Sequence, residues 1–431
     1  MKRQYQIEQQ RAVQQFRRIA TEQNPNIQMI LPLADIVRML QQGVGNLLRE
    51  TGLALMQTVM EQEVCHLAGE RHQQHEGRRA HRWGKENGYC VVDGQKVPIQ
   101  KTRLRTKDKR EQRLGSYELF QRSGLMQLGV WDKMMRGLST RNYGAVVKEF
   151  HNAYGVEKSA VSENFIEASR EKVKQLMERP LGELRLCAIV IDGTPFKDRQ
   201  MIAALGIGCD GAKTVLGIRE GATENTAVVS SLLSELVERG VDFSVPRLYI
   251  LDGGKALASA VRKHAGEAGL IQRCQVHKRR NVVDHLPDEY KADVRRKLQN
   301  AYSMTGYTEA KRALDQLHRE LMDLNPSAAR SLEEGMEETL TVHKLRVPDQ
   351  LRRTLCCTNV IESAFSVVET VCRSVKRWRD GDHIERWVGS GLLVAERQFR
   401  KVIGFRQIPL LLSSMANLVS KKPIAKQVAV A

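Results

Sequence analysis

Residues 186–193 read Leu-Cys-Ala-Ile-Val-Ile-Asp-Gly, and residues 247–254 read Arg-Leu-Tyr-Ile-Leu-Asp-Gly-Gly. Each is a short apolar run closed by aspartate and glycine, the pattern of a buried strand that ends at a turn. Asp192-Gly193-Thr194-Pro195 is expected to turn the chain where the first strand stops. Between the two runs, Met201–Cys209 and Thr214–Arg219 flank Asp210-Gly211 and predict two more strands joined by a tight turn. Asn225–Arg239 carries Val228, Leu232, Leu233, Leu236 and Val237 on one helical side. Lys255–His264 predicts a helix, Leu270–Arg273 a strand, and Val276–His285 another helix. The order β-β-β-α-β-α-β-α implies an α/β fold whose parallel strands are joined by right-handed crossovers. In such sheets reactive groups gather beyond the carboxyl ends of the strands, where Asp192 and Asp252 stand.

The chain changes character on both sides of this block. Residues 288–344 contain no strand signal and read as helices around the turn Asn325-Pro326. From Leu351 the sequence is helical and basic, with Arg373, Lys376, Arg377, Arg379, Arg386, Arg397, Arg400 and Lys401. Trp378 and Trp387 flank basic residues there, as side chains that stack on an unpaired base do, and as core residues do. Towards the N-terminus, residues 1–70 predict helices, with Ile30, Leu31, Leu33, Ile36, Val37 and Leu40, then Leu47, Leu48, Leu53, Leu55, Met56 and Val59, at helical spacing. Residues 71–113 are polar and basic, and Tyr89–Val92 and Val97–Leu104 flank Asp93-Gly94 as a β-hairpin. Thr140–Lys172 predicts a helix-turn-helix: Tyr143–Ala153, the turn Tyr154-Gly155-Val156, then a helix from Lys158 with Val161, Phe165 and Ile166 inward. Ser162 and Asn164 would then meet base edges and Lys158 a phosphate. These changes divide the chain into 1–70, 71–118, 119–180, 184–287, 288–350 and 351–420, with a tail at 421–431.

Lysine and arginine number 68 against 50 acidic residues in 431, a formal charge of +18. Excess basic charge on a folded chain points to a polyanionic partner, and nucleic acid is the commonest. Arg103 and Arg105, in the basic hairpin region, are the expected phosphate contacts. Eight cysteines without a regular framework exclude a disulfide scaffold and predict reduced thiols in the cytoplasm. Apolar runs such as Met29–Leu33 are too short to span a bilayer, and Met1–Gln10 lacks the apolar stretch of a signal peptide. Cys274-x2-His277 invites a zinc reading, but no second pair has suitable spacing, so no zinc is expected. Two aspartates at neighbouring strand ends suit a hard divalent ion such as Mg2+, with Mn2+ as a substitute. A third carboxylate would complete such a pocket, and Glu333, Glu334, Glu337, Glu338, Glu362 and Glu369 all compete for that place.

Taken as an ordered set, these features resemble a family. Val190-Ile191-Asp192-Gly193, Ile250-Leu251-Asp252-Gly253 and Thr358-Asn359-Val360-Ile361-Glu362-Ser363 look like the three acidic motifs of mutator-type bacterial insertion-sequence transposases. Gly137-Leu138-Ser139-Thr140-Arg141 and Cys274-Gln275-Val276-His277 are further matches, and the resemblance covers about residues 130–410. It implies a ribonuclease-H-like mixed-sheet core, split by an all-helical insertion and preceded by helical and helix-turn-helix DNA-binding modules. It implies that Asp192, Asp252 and Glu362 hold Mg2+, with Cys274 and His277 beside them and Arg141 on DNA. Relatives carry basic residues within two turns after the glutamate; Ser366–Glu369 offers none, and Arg373, Lys376 or Arg377 would take that role. The implied activity is binding of terminal inverted repeats, strand cleavage and strand transfer into target DNA, by a homodimer or larger assembly on the bacterial nucleoid. A DNA-binding regulator or decayed transposase, and a nuclease without strand transfer, are the alternative readings. If the basic charge binds phosphates through about six to ten contacts, affinity for duplex DNA falls about 10^3–10^5-fold between 50 and 200 mM salt. Fluorescence anisotropy across that range checks it, and salt-independent binding would refute the electrostatic reading.

Overall fold

The computed structural model describes residues 2–22, 44–71, 78–92, 95–121, 123–137, 158–196, 199–221, 226–375 and 377–420. The chain forms two compact units, Met1–Ala168 and Ser169–Ala431. In the first, helices α1 (Lys2–Glu22) and α2 (Val44–Ala68) accompany a three-stranded antiparallel sheet of β1 (Ala80–Val92), β2 (Gln95–Thr106) and β3 (Glu111–Gln112). Helices α3 (Gly115–Phe120) and α4 (Ser123–Met135) follow, and α5 (Lys158–Glu178) begins in this unit. The expected hairpin is present and longer than its apolar residues suggested: Val92 pairs with Gln95 and Ala80 with Thr106. On α2 the buried face is Met60, Val64, Leu67 and Ala68, while Leu55 points out. Buried Glu63 accepts hydrogen bonds from Gly115 N, Ser116 N and Ser116 Oγ, which meets the open donors at the start of α3. Burial pushes its carboxyl above the usual range. Tyr143–Ala153 and the turn Tyr154–Val156 of the expected helix-turn-helix lie outside the described residues, as does the apolar series from Ile30 to Leu40.

The second unit is built on a five-stranded sheet. Its strands are β4 (Leu186–Phe196), β5 (Arg199–Gly208), β6 (Lys213–Gly221), β7 (Arg247–Leu251) and β8 (Gly269–Arg273), in the order β6-β5-β4-β7-β8. β4, β5 and β6 pair antiparallel, whereas β7 runs parallel to β4 and β8 parallel to β7. Helices α6 (Thr226–Glu238), α7 (Lys255–Ala265) and α8 (Gln275–Asp284) occupy the positions expected of them. Alternate strand residues separate to two faces. Ile189, Ile191, Ile202, Ala204, Leu216, Tyr249 and Leu251 form one core with Leu232, Leu233 and Leu236 of α6 and Leu257, Ala260 and Val261 of α7. Val237, expected on the inner side of α6, is exposed.

Residues 288–344 are helical among the described residues: α9 (Asp288–Ser303), α10 (Tyr307–Leu324), α11 (Pro326–Glu333), α12 (Met336–Thr339) and α13 (Thr341–Lys344). They form a separate apolar core with Val282 and Val283 of α8, through Leu298, Leu314, Leu317, Leu321 and Leu332. The chain then continues through α14 (Asp349–Leu355), α15 (Asn359–Cys372), α16 (Gly381–Arg397) and α17 (Ile408–Ser420). α15 packs on β4 and α16 on β6. Among the described residues no single helix is long and apolar enough to cross a membrane.

One sequence expectation is corrected. β4 does not turn at Asp192–Pro195 but continues in register with β5 to Phe196 opposite Arg199. Its pairing with β7 stops at Ile191, so Pro195 falls where β4 lacks a β7 neighbour, a place where a strand tolerates proline. The outer edge of the sheet is closed by side chains. Glu396 of α16 accepts from Val215 N at 2.7 Å, Arg179 donates to Val215 O and pairs with Glu396 at 2.8 Å, and Arg239 donates to Leu216 O at 2.7 Å. Edge strands are normally covered or charged in such ways. Glu396→Ala leaves Arg179 without its carboxylate and Val215 N–H without an acceptor, and should cost about 2–4 kcal/mol. Urea unfolding measures this; a loss below about 0.5 kcal/mol would show that the edge does not need the pair.

Candidate active site

The parallel register places Ile191 opposite Leu251, so the next residues, Asp192 and Asp252, follow where the β4–β7 pairing ends, Asp192 within β4 and Asp252 just past β7. Asp192 is 4% exposed and accepts a hydrogen bond from Gly193 N at 2.9 Å. Asp252 accepts from Gly254 N at 2.7 Å. Burial pushes the Asp192 carboxyl up to about 7, and the charges of Asp252 and Glu362 push the same way. The opposing influences are the field of His277 and the Gly193 N–H bond. Asp252 and Glu362, both named from the sequence, are thus near enough for their charges to act on Asp192.

Glu362 reaches the site from the first turn of α15. Thr358, immediately before that helix, donates its hydroxyl to Glu362 Oε1 at 2.8 Å. The same hydroxyl lies 3.4 Å from His277 Nδ1 and 3.5 Å from Cys274 Sγ. Cys274 is fully buried and ties the two halves of the site together: its N–H bonds Leu251 O at 2.7 Å, and its sulfur accepts from Thr358 N at 3.4 Å. Gln275 N bonds Cys356 O at 3.0 Å beside it. His277 Nε2 stands 3.9 Å from Glu362 Oε1. The His277 imidazole is raised to about 9 by its hydrogen bonding with Cys274 and by the charges of Cys274, Asp192 and Glu362, against the effect of burial. It is therefore an imidazolium at neutral pH.

The donor atoms of Cys274, His277 and Glu362 all lie within 4.8 Å of one another. That is one ligand short of a closed structural zinc site. The carboxylates of Asp192, Asp252 and Glu362 are the hard oxygen donors that Mg2+ or Mn2+ takes. Divalent charge fits them, because burial and then the charges of Asp252 and Glu362 raise the Asp192 carboxyl. The rival glutamates are engaged elsewhere: Glu333 with His318 at 3.8 Å, Glu334 with Lys255 at 3.6 Å, Glu337 with Lys344 at 2.5 Å, and Glu338 with Arg262. Glu369 is exposed on α15.

Thr358 was quoted in the sequence motif without a role; its four-residue spacing to Glu362 on one helix face was the available signal. Lys278 was not singled out at all. It is 1% exposed, is pushed down to about 8 by burial, and donates to Ser331 O and Glu334 O, fastening α8 to α11.

The residues expected to contact DNA are dispersed. Arg103 pairs with Glu86 at 3.9 Å, and Arg105 stacks over the exposed Trp83 ring at 4.3 Å on the β1–β2 hairpin. Ser162 and Asn164 are partly exposed on α5, with Val161 and Phe165 buried. Lys158 opens that helix. Arg373 caps the far end of α15, eleven residues and about 16 Å along the helix from Glu362. Arg373 and Arg377 are exposed, while Arg141 and Lys376 lie outside the described residues. Trp387 is buried, and Trp378 packs edge-on against Phe196 at 4.9 Å and Trp387 at 6.5 Å.

Residues 26–401 match the family model described as transposase, Mutator family. The chain belongs to that family of DNA-cleaving and DNA-transferring enzymes. It is 27% identical over 327 residues to the transposase for insertion sequence element ISRM5 of Rhizobium meliloti, covering 73% of this chain and 79% of the relative. It is 28% identical over 232 residues to the transposase for IST2 of Acidithiobacillus ferrooxidans, covering 54% and 72%. It is 25% identical over 304 residues to the transposase for IS256 in transposon Tn4001 of Staphylococcus aureus, covering 67% and 76%.

The raised Asp192 carboxyl has a sign that can be tested. Without divalent ions the folded state binds this proton more tightly than the unfolded chain. The resulting stability is present below about pH 4 and is lost as pH rises through about 7. Asp192→Asn cannot ionise, so with chelator present it should become more stable than the parent by about 1–4 kcal/mol as pH goes from 4.5 to 8. Parallel pH dependences of melting for the two proteins would contradict the buried-carboxylate picture.

Proposed function

We propose that Asp192, Asp252 and Glu362 form the metal-holding triad of a ribonuclease-H-like catalytic core, and that this transposase cleaves the ends of its element and joins them to target DNA. The observation that supports the reading is that Asp192 and Asp252 follow paired residues of β4 and β7 while the charge of Glu362, on α15, acts on the Asp192 carboxyl. The strand order β6-β5-β4-β7-β8, with three antiparallel strands followed by two parallel ones, supports the assignment of the core. Residues 184–287 and 351–420 make its two parts, 288–350 the helical insertion, and 421–431 a tail. Residues 1–70, 71–118 and 119–180 precede it as a helical region, a basic hairpin region and a helix-turn-helix-like region that bind DNA.

Divalent ions bound by such carboxylates activate the attacking oxygen and offset the charge that develops on the leaving oxygen. Asp192, central in the sheet, would hold Mg2+ together with Asp252 and Glu362. Thr358 donates to Glu362 Oε1 and His277 Nε2 stands 3.9 Å from the same oxygen, so that oxygen is placed before substrate arrives. Water cleaves the phosphodiester at the element end and leaves a 3′-hydroxyl. That hydroxyl attacks a target phosphodiester, forms the new P–O bond, and expels the target's own 3′ oxygen. No covalent enzyme intermediate is needed.

Arg103 and Arg105 bind phosphates, Arg141, Lys158, Ser162 and Asn164 engage the terminal inverted repeats, and Arg373, Lys376 or Arg377 holds DNA beyond α15. Joining two ends calls for a homodimer or larger assembly, acting on DNA in the bacterial cytoplasm. Asp192→Asn, Asp252→Asn and Glu362→Gln should each lower cleavage and joining by about 10^3-fold or more, and double variants should be no worse than single ones. Binding of the end DNA should persist in each. Mn2+ should support the reaction, and Ca2+ should permit binding with little chemistry. Glu333→Ala and Glu337→Ala should cleave normally. Gel assays on labelled duplexes cut from the DNA flanking the gene make the test, and wild-type cleavage by Asp252→Asn would end the triad reading.

A further inference from the structure

A cleft of about 340 Å³ opens beside Asp252, between the start of α7 and the α11–α12 junction of the insertion. Gly253, Gly254, Lys255 and Arg273 line its core side, and Glu334 and Gly335 the insertion side. Gly254 precedes α7 and offers no side chain to cap it, so the positive end of an eleven-residue helix faces the cleft. Arg273 is 7% exposed, and its Nε has no hydrogen-bond partner. Its guanidinium donates to Glu334 O at 3.0 Å and meets the Glu334 carboxylate only at 3.6 Å. A buried guanidinium so loosely paired is costly unless an anion completes it.

The cradle around it is built to close tolerance. A Cβ on Gly253 would fall 2.4 Å from Arg273 Nε, and a Cβ on Gly335 would fall 2.4 Å from its Nη1. Both glycines have positive φ, +118° and +65°, so two chain segments pinch the guanidinium from either side. Lys255 is almost fully exposed and shares the same Glu334 carboxylate at 3.6 Å. The half-exposed Glu334 carboxylate thus lies near two cations, within hydrogen-bonding distance of neither.

We propose that this cleft is a phosphodiester subsite, in which a DNA phosphate next to the scissile one takes the place that the Glu334 carboxylate now holds. The inference rests on the transposase reading above, and it assigns to the insertion a carboxylate that DNA must displace. Glu334→Gln removes the competitor; Lys255→Ala removes a cation whose side chain is almost fully exposed. Glu333→Gln is the control: it makes the same change in net charge at the neighbouring residue, which pairs with His318 and does not line the cleft.

The experiment measures binding of the full chain to a 30-bp duplex across a salt series, with Ca2+ present so that no cleavage interferes. Glu334→Gln should tighten binding about 3–10-fold beyond any effect of Glu333→Gln. Lys255→Ala should weaken it by a similar factor and lower the slope of log affinity against log salt by about 0.9. A thermal-shift arm with 10 mM inorganic phosphate separates the two sources of the anion: no shift fits a subsite for DNA. A shift lost in Lys255→Ala would mean a free-phosphate site and overturn the proposal. Equal effects of Glu334→Gln and Glu333→Gln, or unchanged binding by Lys255→Ala, would overturn it as well. Cleavage by the parent protein with Mg2+, run alongside, keeps failure of the subsite distinct from failure of the transposase reading.

Discussion

The register of two parallel strands is the constraint on which the site depends. Because Ile191 faces Leu251, Asp192 and Asp252 are neighbours where the β4–β7 pairing ends, and a slip of one residue would turn one carboxylate to the other face. That register is locked on both sides. β5 continues to pair with β4 as far as Phe196, and the apolar residues of one face are packed under α6 and α7. Two adjacent carboxylates, one of them almost fully buried, are unfavourable in a folded protein on their own. Burial of Asp192, with repulsion from Asp252, raises its carboxyl.

Bringing the third carboxylate requires a second device, and Cys274 supplies it. Its backbone N–H is fixed to the end of β7, while its sulfur accepts from the backbone of Thr358 at the start of α15. The strand that carries Asp252 and the helix that carries Glu362 are thereby linked through one buried residue. The Cys274–His277 spacing therefore has a structural meaning. The cysteine joins the two halves, and the histidine three residues later turns its protonated ring to Glu362. The insertion is seated on the same region by buried polar bonds. Gln272 and Gln275 donate to Thr339 O at 2.9 and 2.8 Å, and Thr341 donates to Ile271 O at 2.6 Å. Polar networks of this kind fix one arrangement of helices, because any other leaves buried groups unsatisfied.

Much of the sheet was legible because its strands are short apolar runs bounded by glycine and aspartate, and its helices show one apolar side. The continuation of β4 past Asp192 was not, since Gly193, Thr194 and Pro195 favour a turn locally and only pairing with β5 overrides them. Glu362 could not be separated from Glu333, Glu334, Glu337 and Glu338 by local pattern. What distinguishes it is long-range: its charge acts on Asp192 and His277 Nε2 stands 3.9 Å from its Oε1, while the other four meet His318, Lys255, Lys344 and Arg262. Arg273 and Lys278 escaped notice because burial, which makes a cation informative, has no signature in a basic sequence. The resemblance to the Mutator family carried the choice of Glu362.

Anomalous scattering from crystals of the full chain soaked in Mn2+ would test the central claim most directly. Density from one or two ions is expected among the carboxylates of Asp192, Asp252 and Glu362, and it should vanish in Asp252→Asn. Ions found instead between Cys274 and His277, or unchanged density in Asp252→Asn, would contradict a site built on the β4–β7 register.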